Sequence, residues 1–176
     1  LREIHYHPAP GSDEFVEHVY LFAPLHDIGK IGVADNILLK PGPLTDEERQ
    51  TMQGHAGLGG QLIEDAMRSS GQTANPGLPV LHNVVLCHHE FMDGSGYPQG
   101  LCREAVPLEA RIVTIADIFD ALTSERPYRQ PCSNDEALVE LQRMADDGKL
   151  DPLCVAALGD AGDEVRAIQQ RFGLSA

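Results

Sequence analysis

Apolar residues recur every third or fourth position along most of this chain and nowhere alternate long enough for a sizeable sheet, which predicts an all-α domain. Phe15, Val16, Val19, Tyr20, Phe22 and Ala23 place a helix from Asp13 to about His26, with Ser12 as its N-cap and Pro24 bending its end. Thr45 and Glu48 have capping-box spacing and open a helix towards Glu64, with Met52, Leu58, Leu62 and Ile63 facing the core. The polar stretch from Ser69 to Pro79 reads as a loop. Leu81, Val84, Val85 and Cys87 then carry a helix up to His88. Leu108 to Thr123 is the most apolar helix, with Ile112, Ile115, Ala116, Phe119 and Leu122 in register. Ser133 and Glu136 form a second capping box for a helix to about Ala145, and short helices are expected from Pro152 to Leu158 and from Asp163 to Phe172. Residues 1–12, interrupted by Pro8 and Pro10, read as a connector and as the remnant of a longer N-terminal part; residues 13–176 read as one domain.

Composition narrows the functions open to such a domain. A length of 176 residues with 42% hydrophobic content supports one sizeable core. No apolar run reaches membrane-spanning length and no signal-peptide pattern is visible, so a cytoplasmic location is expected. A formal charge of -14 opposes general binding to nucleic acid or anionic lipid. A phosphate-bearing ligand therefore requires metal ions and a few clustered cations to offset the negative field. Cys87, Cys102, Cys132 and Cys154 form no CxxC pair, against a zinc ribbon or redox dithiol.

Candidate chemistry concentrates where His88 and His89 end a helix and precede Glu90-Phe91-Met92-Asp93-Gly94-Ser95-Gly96-Tyr97-Pro98, a segment too rich in turn formers for regular structure. His26-Asp27 lies near the end of the first helix, His55 within the second, and Asp117 inside the most apolar one. A carboxylate in a buried helix costs several kcal/mol unless it is paired or binds a cation. Each residue also has a structural reading: His26 capping carbonyls where Gly29 ends a helix, His55 as a satisfied core residue, Asp117 paired with an arginine. Together, His26, Asp27, His55, His88, His89 and Asp117 offer imidazole and carboxylate without thiolate. That set suits two or more first-row metals, with Asp27 as a bridge, better than structural zinc. Paired ions roughly 3.5–4 Å apart can generate hydroxide and hold both oxygens of a displacement at phosphorus, so phosphoester hydrolysis is the natural reaction.

The motifs HDIGKIG at 26–32, KPGPLT at 40–45, HHEFMDGSGYPQGL at 88–101 and RIVTIADIFDALTSERPYR at 111–129 follow one another in order. With these, the chain resembles the HD-GYP domains, a subgroup of the HD metal-dependent phosphohydrolases, from about residue 12 to residue 158. The resemblance implies a helical bundle with a bi- or trinuclear centre between its helices, often iron or manganese, with nickel or zinc also compatible. It implies hydrolysis of cyclic di-GMP to pGpG or on to GMP in bacterial signalling. His26, Asp27, His55, His88, His89 and Asp117 fall on metal-ligand positions, Lys30 on a lysine assisting the leaving group, and Tyr97, Arg126 and Arg129 on substrate-contacting positions. Alternatives stay open for these last residues: Lys30 and Arg129 as solvated charges, Arg126 paired with Asp120, Tyr97 packed on the ligand helices. The family's upstream histidine and glutamate have no assigned match, since prolines break the helix around His5 and His7 and His18 lies on another helix. Arg103 stands where the family often has glycine, and the insert before His88 is longer. The resemblance further implies an N-terminal regulatory domain such as a receiver, and leaves a homodimer open. Competing readings are a hydrolase of linear pGpG or another nucleotide, and a degenerate sensor that binds without turnover.

Overall fold

Proline and capping chemistry set the course of the first helices. The computed structural model describes residues 8–70, 77–125 and 130–172. Helix α1 (Asp13–Phe22) starts where the Ser12 hydroxyl accepts the Phe15 N–H at 3.2 Å. It ends earlier than its apolar pattern predicts, because Pro24 supplies no N–H and crowds the preceding turn. The chain tightens instead into a 3₁₀ turn at Ala23–Leu25, followed by a second at Ile28–Gly32 and the short α2 (Asp35–Leu38).

Helix α3 (Asp46–Ser70) opens on the expected box: the Thr45 N–H donates to the Glu48 carboxylate at 2.8 Å and the Glu48 N–H to the Thr45 hydroxyl at 3.3 Å. It runs past Glu64 to Ser70, and α4 (Leu78–Cys87) takes in Leu78 and Pro79, so both ends of the expected loop are helical. Polarity misled there, since the residues are those of a solvated helical face, with Asp65 and Arg68 paired one turn apart. Pro79 is tolerated in the first turn, where no intrahelical donor is needed.

Helix α5 (Leu108–Thr123) has the predicted bounds and buries Ala110, Val113, Ile115, Phe119 and Leu122, whereas Ala116 is exposed. Then follow α6 (Asn134–Asp146), closed by the reciprocal Ser133–Glu136 box, α7 (Pro152–Asp160), capped by Asp151, and α8 (Gly162–Phe172). The described residues contain helices and a single antiparallel bridge, Asp93 to Cys102, and no strand, so the all-α reading holds.

Ile115, Phe119, Leu122, Leu141, Leu150 and Val155 make the larger core between α5, α6 and α7. Val80, Val84 and Val113 make a second, against Val19 and Phe22 of α1. Arg111 joins this framework to the tail, its Nε donating to the Val106 carbonyl at 2.8 Å and its Nη1 to Asp151 at 3.1 Å.

The contact that matters most for the site is made by small residues. Helix α3 buries His55, Ala56, Gly59 and Gly60, while Leu62, expected in the core, is 38% exposed. Because Gly59 has no side chain, the Ile28–Gly32 turn lies directly on the α3 backbone at Gly29.

Candidate metal centre

Three of the four histidines at the centre are aimed by main chain. Nδ1 of His26 lies 2.7 Å from the Ala23 carbonyl, Nδ1 of His55 2.7 Å from Met52 O, and Nδ1 of His88 3.1 Å from both Val84 O and Val85 O. A carbonyl only accepts, so each Nδ1 carries the proton and each Nε2 presents a lone pair. His26 thus caps a turn, as its structural reading had it, while its Nε2 faces Asp27.

These three Nε2 atoms converge on Asp27. Oδ1 lies 3.2 Å from His55 Nε2 and 3.7 Å from His88 Nε2; Oδ2 lies 3.3 Å from His26 Nε2 and 2.5 Å from Lys30 Nζ. The Nε2 atoms of His55 and His88 are themselves 3.4 Å apart, and both rings are buried. Oδ1 of Asp27 is buried without a hydrogen-bond partner of its own. Lone pairs gathered at this density repel one another unless a cation sits among them. Asp27, His55, His88 and His89 each offer a ligating atom within 4.8 Å of all the others, so they could hold a metal ion. On the other side of Asp27, His26 Nε2 is 3.3 Å from Asp27 Oδ2 and 3.8 Å from Asp117 Oδ1, so His26 stands between the two carboxylates. The residues present fit divalent first-row metals: nitrogen and oxygen donors, one of them a carboxylate with one oxygen facing His55 and His88 and the other facing His26.

Protonation agrees with this at Asp27 and His89. Burial opposes ionisation of Asp27, but His26, His55, His88 and Lys30 outweigh it and hold the acid well below the usual carboxylate range. His89 is pushed down to about 3, by burial first and then by His88 and His55, and is neutral at pH 7. The Asp27 contact raises His26, against burial. Lys30 is therefore engaged with Asp27 and is not a free surface charge.

The glycine loop closes one side of the site. The Tyr97 ring is 4.7 Å from that of His89 and 6.5 Å from that of His55, and burial, then Asp27 and Asp117, raises its hydroxyl, which remains a donor. Tyr97 packs on the ligand residues as its structural reading had it, and that same packing brings it to the rim of the centre. Glu90, which sequence reasoning passed over, is buried beneath the loop and accepts two of its N–H groups. The signal was there: an acid directly after two histidines, followed by a loop whose amides need acceptors. His18 stays outside, stacked on Phe22 at 5.7 Å. The expectations for Arg126 and Arg129, and the Arg126–Asp120 pair, lie outside the described residues.

A family model described as "HD domain" matches residues 11–153. The chain belongs to the HD domain family. HD domains are metal-dependent, and the His and Asp cluster is where this one could bind metal. Among its relatives is a cyclic di-GMP phosphodiesterase response regulator of Xanthomonas campestris pv. campestris, 47% identical over 148 residues, or 84% of this chain and 37% of that protein. A cyclic di-GMP phosphodiesterase of Thermotoga maritima is 40% identical over 161 residues, 91% of this chain and 41% of its own. A 3'3'-cGAMP-specific phosphodiesterase of Vibrio cholerae is 38% identical over 148 residues, 84% of this chain and 27% of its own. The HD domain chain thus spans well under half the length of these relatives. No helix among its described residues is long and apolar enough to cross a membrane.

Proposed function

We propose that this HD domain is a metal-dependent phosphodiesterase of the HD-GYP type that hydrolyses cyclic di-GMP to pGpG or on to GMP. The observation that carries the reading is Asp27, with three imidazole lone pairs around its two oxygens and an ammonium on one of them. His55, His88, His89 and Asp27 would hold one divalent ion, and His26, Asp117 and the same Asp27 a second. Iron or manganese is the first choice, with nickel or zinc compatible with the same donors and a third ion left to ligands upstream. Bound ions supply Lewis acidity toward the phosphodiester and its attacking water.

The chain's own residues do the rest. Lys30, held against Asp27, is poised to give a proton to the departing 3′ oxygen. Tyr97 offers a ring face and a protonated hydroxyl to the dinucleotide at the rim. Arg126 and Arg129 are assigned to the substrate phosphates by resemblance, since a guanidinium forks two hydrogen bonds onto phosphate. The buried His55 and His88 keep bulk water from the inner side of the centre.

The test is to prepare the protein anaerobically, load it with iron or manganese, measure its metal content and identify products from cyclic di-GMP, 3'3'-cGAMP and linear pGpG. Release of pGpG from cyclic di-GMP, lost together with metal in Asp27→Ala, is the expected result. Preference for linear pGpG would reassign the substrate, and tight binding of cyclic di-GMP without product would make the domain a sensor.

A further inference from the structure

Glu90 is 2% exposed and follows His89 directly, yet both its oxygens are committed to the far limb of the glycine loop. Oε1 accepts the Gln99 N–H at 2.6 Å and Oε2 the Leu101 N–H at 2.9 Å. The two bonds draw residues 91–98 into a closed ring on a single carboxylate. Within that ring the Tyr97 N–H donates to the His89 carbonyl at 3.1 Å. Gly96 passes so close beneath that a methyl group there would stand 2.3 Å from the Phe91 nitrogen and 2.5 Å from the Glu90 Cα. The loop carries three glycines, Gly94, Gly96 and Gly100, and a backbone so permissive does not hold one conformation without fixed anchors. A carboxylate receiving two amides is such an anchor.

We propose that Glu90 is a positioning residue, whose carboxylate clamps the loop so that the Tyr97 ring is seated against His89 and faces the substrate. The assignment of Tyr97 to a cyclic dinucleotide rests on the function proposed above; the clamp itself rests on the two amide bonds. Glu90 acts on the ligand through Tyr97 and does not touch it.

Glu90→Gln keeps the shape but turns an NH₂ group against one of the two amides. Reconstituted with manganese, the variant is expected to retain its metal, while KM for cyclic di-GMP rises about tenfold and kcat changes less than about threefold, since what is lost is a binding contact. In a ¹³C-tyrosine spectrum the Tyr97 signal, assigned by its loss in Tyr97→Ala, should move in Glu90→Gln. Glu90→Asp, which keeps both acceptors on a shorter arm, should fall between the two and supplies the same readouts if the glutamine variant does not fold. Combining Glu90→Gln with Tyr97→Ala should raise KM no further than the worse single change, because coupled residues are not additive. An unmoved Tyr97 signal, or a loss of metal and kcat with KM unchanged, overturns the clamp. If the unaltered protein neither binds nor hydrolyses cyclic di-GMP, the functional reading fails, and the Tyr97 signal still decides the role of Glu90.

Discussion

Gly29 and Gly59 meet backbone to backbone. A methyl group at Gly29 would stand 1.9 Å from the His55 carbonyl oxygen and 2.6 Å from the Gly59 nitrogen; one at Gly59 would stand 2.6 Å from a Val85 methyl. This closeness brings Asp27, two residues before Gly29, within reach of His55, four before Gly59.

Gly59→Ala should destabilise the protein by about 1–3 kcal/mol, the usual cost of overpacking. Urea unfolding measures it, and Val85→Ala in the same chain should recover part of the loss by making room. Gly29→Ala meets main chain, which cannot move aside, and should lower metal uptake as well as stability.

Metal should stabilise the fold through Asp27. At about 100 times Kd, a divalent ion adds about 2.7 kcal/mol, seen as a rise in the thermal midpoint. Asp27→Asn keeps the shape but loses the charge, and its midpoint should not respond to manganese. Chelation should abolish phosphodiester hydrolysis by the unaltered protein and re-addition should restore it.

Arg103 is the one non-glycine described residue in the left-handed region, at φ 51°. The family's habit of placing glycine there has a plain cause, because a Cβ is strained in that conformation. Arg103→Gly should raise unfolding free energy by roughly 0.5–1 kcal/mol, the relief of strain less the extra entropy of an unfolded glycine.

Cys87 lies beneath the site, and burial, then Glu90 and Glu109, pushes its thiol up to about 12. The folded chain therefore keeps this proton at alkaline pH while the unfolded chain, near 9, gives it up. The stabilisation is intact below pH 9 and is lost as pH rises towards 12. Cys87→Ala should flatten that decline in a stability profile. At pH 8, iodoacetamide should label the exposed Cys102 and leave Cys87 unmodified, as read by peptide mass spectrometry.

Where large apolar residues and caps carried the signal, the sequence was legible. The bounds of α5 and both capping boxes follow from spacing alone, and the cluster around Asp27 assembles from four separated segments named beforehand. What was hidden depends on residues with little side chain or with ambiguous polarity. Where α3 comes closest to the Ile28–Gly32 turn, at Gly59 against Gly29, there is no side chain for a search for Leu and Ile to find, and Leu62 was given a place it does not occupy. The last turn of α3 is polar because it is solvated, and polarity alone does not separate such a turn from a loop. Glu90 was passed over because its partners are backbone amides nine and eleven positions ahead, invisible to any side-chain pattern.

Because His26, His55 and His88 are oriented by carbonyls of their own turns, their aim asks nothing of the identity of surrounding side chains. Neighbouring positions are consequently at liberty to diverge without misdirecting the imidazoles. Selection can thus reshape the rim of the centre while the inner constellation stays put.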